Sequence, residues 1–314
     1  MLRVDRNMLS FLTLCAIWGT TWVGIKAGVD AVPPLVFAST RFMTAGFLLL
    51  MLARWRGERI RMEREDIPRL GLVSLFMISF CYGPLFWGMQ YINSGTAAVL
   101  ELALTPIALL CFALLLGEET WSGKRLFAVC LGAAGLMVLF GPDALQKTST
   151  DAGTGALYYW GVLAVASSAF TYGLGAVLAR PLLRHYPSLC MSGLTTLIGG
   201  GCLFLCALAT ENGAVTALSG HWGAAAWSGW LFLVLFGSLL GYTIYMRLLR
   251  DIGASRSGSY AFVSPIVAVL LGVLIFAETV RLLDFVGMLI MLGAAYLTLQ
   301  EPASEPPERT PDGR

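Results

Sequence analysis

The chain has 314 residues, of which 57% are hydrophobic and 13% are charged, and its net charge at pH 7 is +2. An average soluble domain is about one quarter charged, so this composition excludes a water-soluble fold and indicates a polytopic membrane protein. The small net charge is not that of a nucleic-acid-binding protein, and we expect no nucleic-acid partner.

Ten apolar stretches are each close to the roughly 20 residues that a helix needs to cross a bilayer. They lie at residues 8–28, 35–53, 70–91, 94–116, 123–140, 157–179, 187–209, 226–246, 253–277 and 282–300. The sequence therefore predicts an all-α polytopic membrane protein with ten transmembrane helices. The last residues, 301–314, are rich in Pro, Glu and Arg, and we predict a disordered tail there.

Basic residues are unevenly distributed among the connections between these spans. The connection after the second span carries the six arginines Arg54, Arg56, Arg59, Arg61, Arg64 and Arg69. If the N-terminus is cytoplasmic, the outside connections hold only Lys147 and Arg281. The positive-inside rule therefore predicts that both termini are cytoplasmic. This orientation needs an even number of helices, which ten satisfies.

A motif recurs in the two halves of the chain. Pro106 is followed by an apolar run and then Glu118 and Glu119, and Pro265 is followed by a similar run and then Glu278. Which of the first two glutamates is the counterpart of Glu278 is open. Internal duplication in a membrane protein is typical of transporters, whose halves can move about one site between them.

Five helices in each half imply an inverted repeat, because an odd number makes the second copy enter the membrane from the opposite face. The predicted domains are a first repeat at 1–140, an external linker at 141–156, an inverted second repeat at 157–300 and a cytoplasmic tail at 301–314. Small residues at 132–135 and 293–295 predict that the fifth and tenth helices pack on each other rather than on a second copy. We therefore expect a monomer.

Arg41 and Glu101 are the charges that lie clearly within predicted spans. An ionisable residue at the bilayer centre costs about 2.5–3.5 kcal/mol on insertion scales and persists where it faces protein or water. The two residues lie at a similar predicted depth and could form a buried ion pair that fixes two helices. Alternatively, Glu101 faces a cavity as a proton carrier or binds a substrate ammonium, or one residue is unpaired in a wet crevice.

Helix-breaking residues cluster in the same middle zone. Gly83 and Pro84 lie inside the third span, and Pro106 and Pro265 interrupt the fourth and the ninth. A proline removes a backbone hydrogen bond, and freed backbone groups are tolerated in a membrane only beside protein or a water-filled cavity. Symmetric breaks therefore predict a binding site between the halves. A kink that serves shape alone is the alternative.

Aromatic and hydroxyl side chains surround these breaks. Together with Glu101 they form the predicted substrate cavity, whose other members are Trp18, Thr21, Trp22, Tyr82, Trp87, Tyr172, Tyr242, Tyr260 and Ser264. For the deeper aromatic residues, ordinary packing is an equally open interpretation. Aromatic walls with few fixed charges suit an apolar or zwitterionic solute better than a polyanion.

The sequence contains no motif for a cofactor or a catalytic centre. All seven cysteines fall within predicted spans, so we expect neither a disulfide framework nor a metal site. A phosphate-binding loop, a dinucleotide fingerprint and a nucleophile elbow are absent. We therefore predict no cofactor and no enzyme activity. The non-transport alternatives are a membrane receptor or scaffold and a membrane enzyme that acts on lipids.

Short motifs in the first half resemble a known family. Trp18-Gly19, Ala38-Ser-Thr-Arg41-Phe42 and the run from Pro106 to Gly117-Glu118 resemble EamA-type members of the drug/metabolite transporter superfamily. The resemblance covers residues 8–300, and the aromatic-rich helices are similar to amino-acid and metabolite exporters of the YddG type. It implies helices around a central cavity and export from the cytoplasm across a bacterial inner membrane.

On this basis we expect an inner-membrane exporter of small metabolites, namely neutral or aromatic amino acids, that works by alternating access. The expected partners are an amino-acid substrate, the lipid bilayer and, as a candidate coupling ion, the proton. Export of lipophilic drugs or other metabolites is the alternative for the substrate. Passive facilitation is the alternative to proton coupling.

Overall fold

A computed structural model describes residues 6–58, 60–92, 94–150, 155–276 and 281–301. Within these ranges the regular structure is entirely helical, without a β-strand. We number the long helices α1 to α10, which are Arg6–Val29, Pro34–Trp55, Ile67–Gly88, Ser94–Leu115, Gly123–Thr150, Gly155–His185, Ser188–Thr210, Ala224–Ile252, Tyr260–Phe276 and Leu282–Gln300. The short helices Ala214–Ala217 and Ala254–Gly258 precede α8 and α9.

Eight helices in the described part of the chain are long and apolar enough to cross a membrane, namely all except α5 and α9. The latter two are helical at the positions of the fifth and ninth predicted spans. The protein is therefore a polytopic, all-helical membrane protein. In the predicted linker at 141–156, α5 continues to Thr150 and α6 begins at Gly155. Glu278 and residues 302–314 of the predicted tail lie outside the described residues.

The predicted helix breaks are not breaks in the structure. Pro84, Pro106 and Pro265 each lie inside a helix that continues through the proline, and Gly83 lies in the same segment as Pro84. Neighbouring helices and local changes in helical winding can compensate for the lost hydrogen bond of a proline in a membrane helix. The helix thus continues through Gly83 and Pro84 in α3, as it does through the other two prolines.

The irregular helical winding lies instead in two wider, π-helical stretches. One occupies Leu75–Ser79 in α3, directly before the segment that contains Pro84, and the other occupies Leu233–Tyr242 in α8. π-Helical turns are rare in proteins, and those that occur are often found at functional sites. Both lie in the third helix of their half, where the first half is α1–α5 and the second is α6–α10. The two halves therefore share an unusual local structure at matching places.

Close crossings between the halves also occur in matched pairs. A Cβ atom placed on Gly19 of α1 would lie 2.6 Å from the carbonyl oxygen of Ser264 in α9. A Cβ atom placed on Gly173 of α6 would lie 2.8 Å from the Cβ of Ala108 in α4. The first helix of each half thus crosses the fourth helix of the other half at a glycine.

In two other pairs of helices, α2 with α7 and α5 with α10, each helix packs against the helix at the same position in the other half. In the α2–α7 contact, a Cβ on Gly46 would lie 2.6 Å from the Leu197 nitrogen, and a Cβ on Gly200 would lie 3.0 Å from the Met43 nitrogen. Each helix therefore brings a glycine against the backbone of the other. Such reciprocal small-residue contacts allow membrane helices to approach closely.

The predicted packing of the fifth helix on the tenth is present in the structure. A Cβ on Gly135 of α5 would lie 3.1 Å from the carbonyl oxygen of Gly287 in α10, and the reciprocal distance is 3.0 Å. The glycine that we selected from the sequence, Gly293, has no atom within 4 Å of its Cβ position. Gly293 lies on another face of α10, because side-chain directions repeat every 3.6 residues.

Charged and polar side chains, buried except for Arg184, join the halves at the end of the bundle where α4 and α6 end. We call this group the basal cluster, and it consists of Glu118, Glu119, Arg125, Arg180, Arg184 and Ser255. Glu119 accepts hydrogen bonds from Arg125 Nη1 and from the Ser255 backbone nitrogen, each at 3.0 Å. Arg180 Nη1 lies 3.3 Å from the Glu118 carboxylate. First-half carboxylates are thereby held by second-half groups.

Candidate functional site

A cavity of about 60 Å³ lies between helices of both halves. The first half lines it with Trp18, Thr21, Trp22, Ile25, Arg41, Phe42, Tyr82, Leu85, Glu101 and Leu102. The second half lines it with Tyr172, Gly237, Ser238, Tyr242 and Tyr260. Trp22 and Tyr82 contact both main clusters of buried apolar side chains, so the cavity lies where these clusters meet.

The aromatic wall of the cavity is centred on Trp18. Its ring packs edge-on against Tyr260 at a centroid distance of 4.7 Å, and it packs in a tilted arrangement against Tyr245 at 5.2 Å. The indole nitrogen donates a hydrogen bond to the Gly237 carbonyl oxygen at 3.3 Å. Gly237 belongs to the π-helical stretch of α8. The irregular turn in α8 therefore supplies the acceptor that positions the central tryptophan of α1.

Arg41 is buried beside aromatic rings. The residue is only 4% exposed. Its guanidinium carbon lies 4.1 Å from the ring centroid of Phe42 and 5.3 Å from the ring centroid of Tyr82. Cation–π contacts of this kind are favourable, particularly when the cation is desolvated. Arg41 Nε makes no hydrogen bond within the described part of the chain. Arg41 lines the cavity, and this buried guanidinium nitrogen lacks an acceptor among the described residues.

Glu101 is held within its own helix rather than by Arg41. Thr105 donates a hydrogen bond to Glu101 Oε1 at 3.3 Å, one turn further along α4. Across the described residues, the ion pairs do not include one between Arg41 and Glu101. The predicted buried ion pair is therefore not formed here, because Arg41 packs on the aromatic rings of α2 and α3 while Glu101 bonds along α4.

The residues predicted for the cavity line it, apart from Trp87 and Ser264. Trp87 packs against Tyr91 at 4.9 Å, near the end of α3. Ser264 is buried where α9 crosses α1 at Gly19. Both were selected for residue type and approximate depth, and neither criterion gives the helix face. Whether the cavity binds a substrate remains a prediction.

Several lining residues were missed in the sequence, and some had a detectable signal. Ile25 continues the face of α1 formed by Trp18, Thr21 and Trp22, because these positions follow helical spacing. Leu85 similarly follows Tyr82 by three residues in α3. Ser238 likewise precedes Tyr242 by four residues in α8. Phe42, Leu102 and Gly237 had no such spacing signal, and Arg41 was noted for its charge alone. Among the described residues, no group of three or more His, Cys, Asp or Glu side chains could hold a metal ion.

Several cavity residues have counterparts at matching places in the other half, although the counterpart Thr195 does not itself line the cavity. Trp18 and Tyr172 each precede a crossing glycine, Gly19 or Gly173. Glu101 and Tyr260 each lie five residues before the helix proline, Pro106 or Pro265. Arg41 and Thr195 each lie five residues before a crossing glycine, Gly46 or Gly200. Trp18 and Tyr172 are thus aromatic at matching places, whereas at the other two places the first half has a charged residue and the second half a neutral one.

Comparison with known proteins identifies the family. Two segments of the chain, residues 6–141 and 159–300, each match the EamA-like transporter family. The chain belongs to the EamA-like transporter family. The family domain is present twice, in agreement with the duplication predicted from Pro106 and Pro265. The sequence resemblance to EamA-type transporters is thereby confirmed, and the protein is a membrane transporter.

Individual relatives cover nearly the whole EamA-like chain. The uncharacterized inner membrane transporter YedA of Escherichia coli K12 is 29% identical over 293 residues, which cover 92% of this chain and 89% of YedA. The uncharacterized transporter YoaV of Bacillus subtilis 168 is 25% identical over 284 residues, covering 90% of this chain and 93% of YoaV. One protein of known crystal structure superimposes with a TM-score of 0.72 at 18% identity, covering 93% of this chain and 96% of the other, so the two share a fold.

Proposed function

We propose that this EamA-like transporter exports neutral or aromatic amino acids across a bacterial inner membrane by alternating access. The observation that carries the proposal is the cavity between the halves, which combines an aromatic wall with Arg41 and Glu101. Small-molecule sites are typically apolar with a few placed polar groups. An amino acid with an apolar side chain presents the complementary chemistry. Lipophilic drugs or other metabolites are the alternative substrates.

The proposed architecture is ten transmembrane helices in two inverted five-helix repeats, with both termini in the cytoplasm. The glycine crossings and the π-helical stretches at Leu75–Ser79 and Leu233–Tyr242 occur at matching places in the two halves. This correspondence supports two structurally equivalent repeats. The excess of arginine between α2 and α3 supports the orientation. Inverted repeats with a site at their interface are a recurring transporter design.

In this orientation the basal cluster closes the cytoplasmic side of the cavity. Glu119 bonds across the halves to Ser255, and Arg180 bonds to the Glu118 carbonyl oxygen at 2.8 Å. Access from the cytoplasm requires these contacts to separate. The cavity volume holds only a few water molecules, so the aromatic walls must also move apart around a solute as large as an amino acid.

Counterflow of a mixed pool of radiolabelled amino acids in proteoliposomes tests the proposal. We expect selective exchange that Trp18→Ala and Tyr82→Ala each weaken. Trp160→Ala is the matched control, because Trp160 is 60% exposed and does not line the cavity. The absence of exchange for every amino acid with folded protein, alongside exchange of a lipophilic compound, would refute the amino-acid proposal. Equal loss in all three variants would refute the role of the cavity.

A further inference from the structure

The charged residues Arg41 and Glu101 line the cavity, and each could bind an oppositely charged group of a ligand. Arg41 is buried, stacks over the ring of Phe42, and has an Nε atom without a hydrogen-bond acceptor in the described chain. A guanidinium stacked by its face keeps its N–H groups in the plane, where they can bind a carboxylate in a bidentate manner. Arg41 is therefore suited to receive an anionic group from the cavity.

Glu101 offers the opposite charge at the same cavity. One of its oxygens accepts the hydrogen bond from Thr105, a neutral donor that leaves the carboxylate charge uncompensated. Arg41 does not supply that compensation, since the two residues form no ion pair. Buried or desolvated charges are unfavourable unless they are paired. A solute with one cationic and one anionic group could pair both residues at once.

The equivalent positions of the second half are neutral. Tyr260 stands where the first half has Glu101, and Thr195 stands where it has Arg41. Thr195 Oγ1 lies 3.3 Å from the hydroxyl of Tyr242, so this position is satisfied within the second half. The cavity thus has a polar side from the first half, and Tyr260 of the second half packs on Trp18 as part of the apolar wall.

We propose that Arg41 and Glu101 together recognise a dipolar solute, with Arg41 binding its carboxylate and Glu101 its ammonium. The apolar side chain of the solute then lies against Trp18 and Tyr260. This assignment rests on the proposed function and deepens it. It limits the substrates to zwitterionic α-amino acids with apolar side chains. Simple amines, simple carboxylic acids and uncharged lipophilic compounds each leave at least one charge of the cavity unpaired.

The wild-type protein provides the first test, without reliance on a variant. Inhibition of amino-acid counterflow is measured with L-phenylalanine, phenethylamine and 3-phenylpropanoate, which share a ring and differ in their charged groups. The parallel leucine series uses L-leucine, isopentylamine and 4-methylpentanoate. We expect each amino acid to inhibit at least about tenfold more strongly than either of its analogues, because each analogue loses one charge-assisted contact.

Two variants test which residue reads which group. In Arg41→Gln, we expect phenylalanine and phenethylamine to become equally effective, because the carboxylate has lost its partner. In Glu101→Gln, we expect phenylalanine and 3-phenylpropanoate to become equally effective. Arg41→Lys controls for folding, because it retains the charge and should retain part of the discrimination. The crossed pattern is not produced by a general loss of stability.

The outcomes separate this inference from the proposed function. If amino acids exchange but phenethylamine inhibits the wild type as strongly as phenylalanine does, dipolar recognition is overturned and amino-acid export stands. If the two variants give the same relaxed pattern, or the swapped one, the assignment of Arg41 and Glu101 is overturned. If no amino acid of the pool exchanges while a lipophilic compound does, both proposals fail.

Discussion

Three consecutive glycines in α7 allow a sharp test of the packing between the halves. Gly199, Gly200 and Gly201 share a helix and a sequence context but meet different surroundings. A Cβ on Gly199 would lie 2.5 Å from the Ser74 carbonyl oxygen, and one on Gly200 would lie 3.0 Å from the Met43 nitrogen. A Cβ on Gly201 would have no atom within 4 Å. We therefore expect alanine substitutions to separate by position.

The expected magnitudes follow from these distances. Backbone atoms of α3 and α2 cannot rotate away from a new methyl group at Gly199 or Gly200, so the helices must shift. Overpacking of this kind typically costs about 1–3 kcal/mol. Gly201→Ala meets open space, and alanine is the better helix former by up to about 1 kcal/mol. Gly201→Ala should therefore be neutral or slightly stabilising, with Gly199→Ala the most destabilising of the three.

Equilibrium unfolding of the purified variants in mixed SDS and detergent micelles measures these free energies. Wild type, the three single variants and a repeat of each preparation are compared under one condition. The packing is refuted if Gly201→Ala is as destabilising as Gly199→Ala, because the two positions would then face similar surroundings. Three variants with wild-type stability would equally contradict the close approach of α7 to α2 and α3.

Further substitutions test charges in and outside the cavity. Glu119→Gln should destabilise the fold by about 3–5 kcal/mol in the same unfolding assay, because it removes the carboxylate charge that is paired with buried Arg125. Lys26→Met, at an exposed pair, should change stability by less than about 1 kcal/mol. Equal effects would contradict the basal cluster. Glu211→Ala should cost about 0.5–2 kcal/mol, because Glu211 accepts hydrogen bonds from the Leu35 and Val36 nitrogens at the start of α2; wild-type unfolding would refute this cap. Glu101→Gln should abolish the dependence of flux on a pH gradient if Glu101 carries a proton, and unchanged gradient-driven uptake would exclude that role.

The helical architecture was largely predictable because lipid imposes a strong constraint on the sequence. Spans must be apolar and close to 20 residues long, so α1 to α10 lie close to the predicted stretches. The face of α1 was also predictable, since Trp18, Thr21 and Trp22 follow helical spacing. Duplication could be recognised from Pro106 and Pro265, because they occupy the same place in two long runs.

The contacts between helices could not be predicted, because one sequence does not show which face each helix turns toward its neighbours. Equal depth suggested that Arg41 and Glu101 pair, but depth does not give the direction in which each helix turns its side chain. The small-residue run at 293–295 did not identify Gly287 as the contact for the same reason, since composition does not reveal which glycine faces α5. The π-helical stretch at Leu233–Tyr242 brings Gly237 to the cavity, and no residue in it carries a recognisable signal for that winding.

The central claim is that the substrate occupies the space between the halves. Protection of a cavity cysteine by the substrate from chemical labelling tests this claim most directly. Ser238→Cys, at a lining position of α8, is compared with Ser228→Cys, at an exposed position of the same helix, after the native cysteines have been replaced. We predict that a small methanethiosulfonate reagent inhibits exchange only in Ser238→Cys and that phenylalanine slows this inhibition. Inhibition at neither position, or labelling of Ser238→Cys that no transported amino acid slows, would contradict a transport site in this cavity.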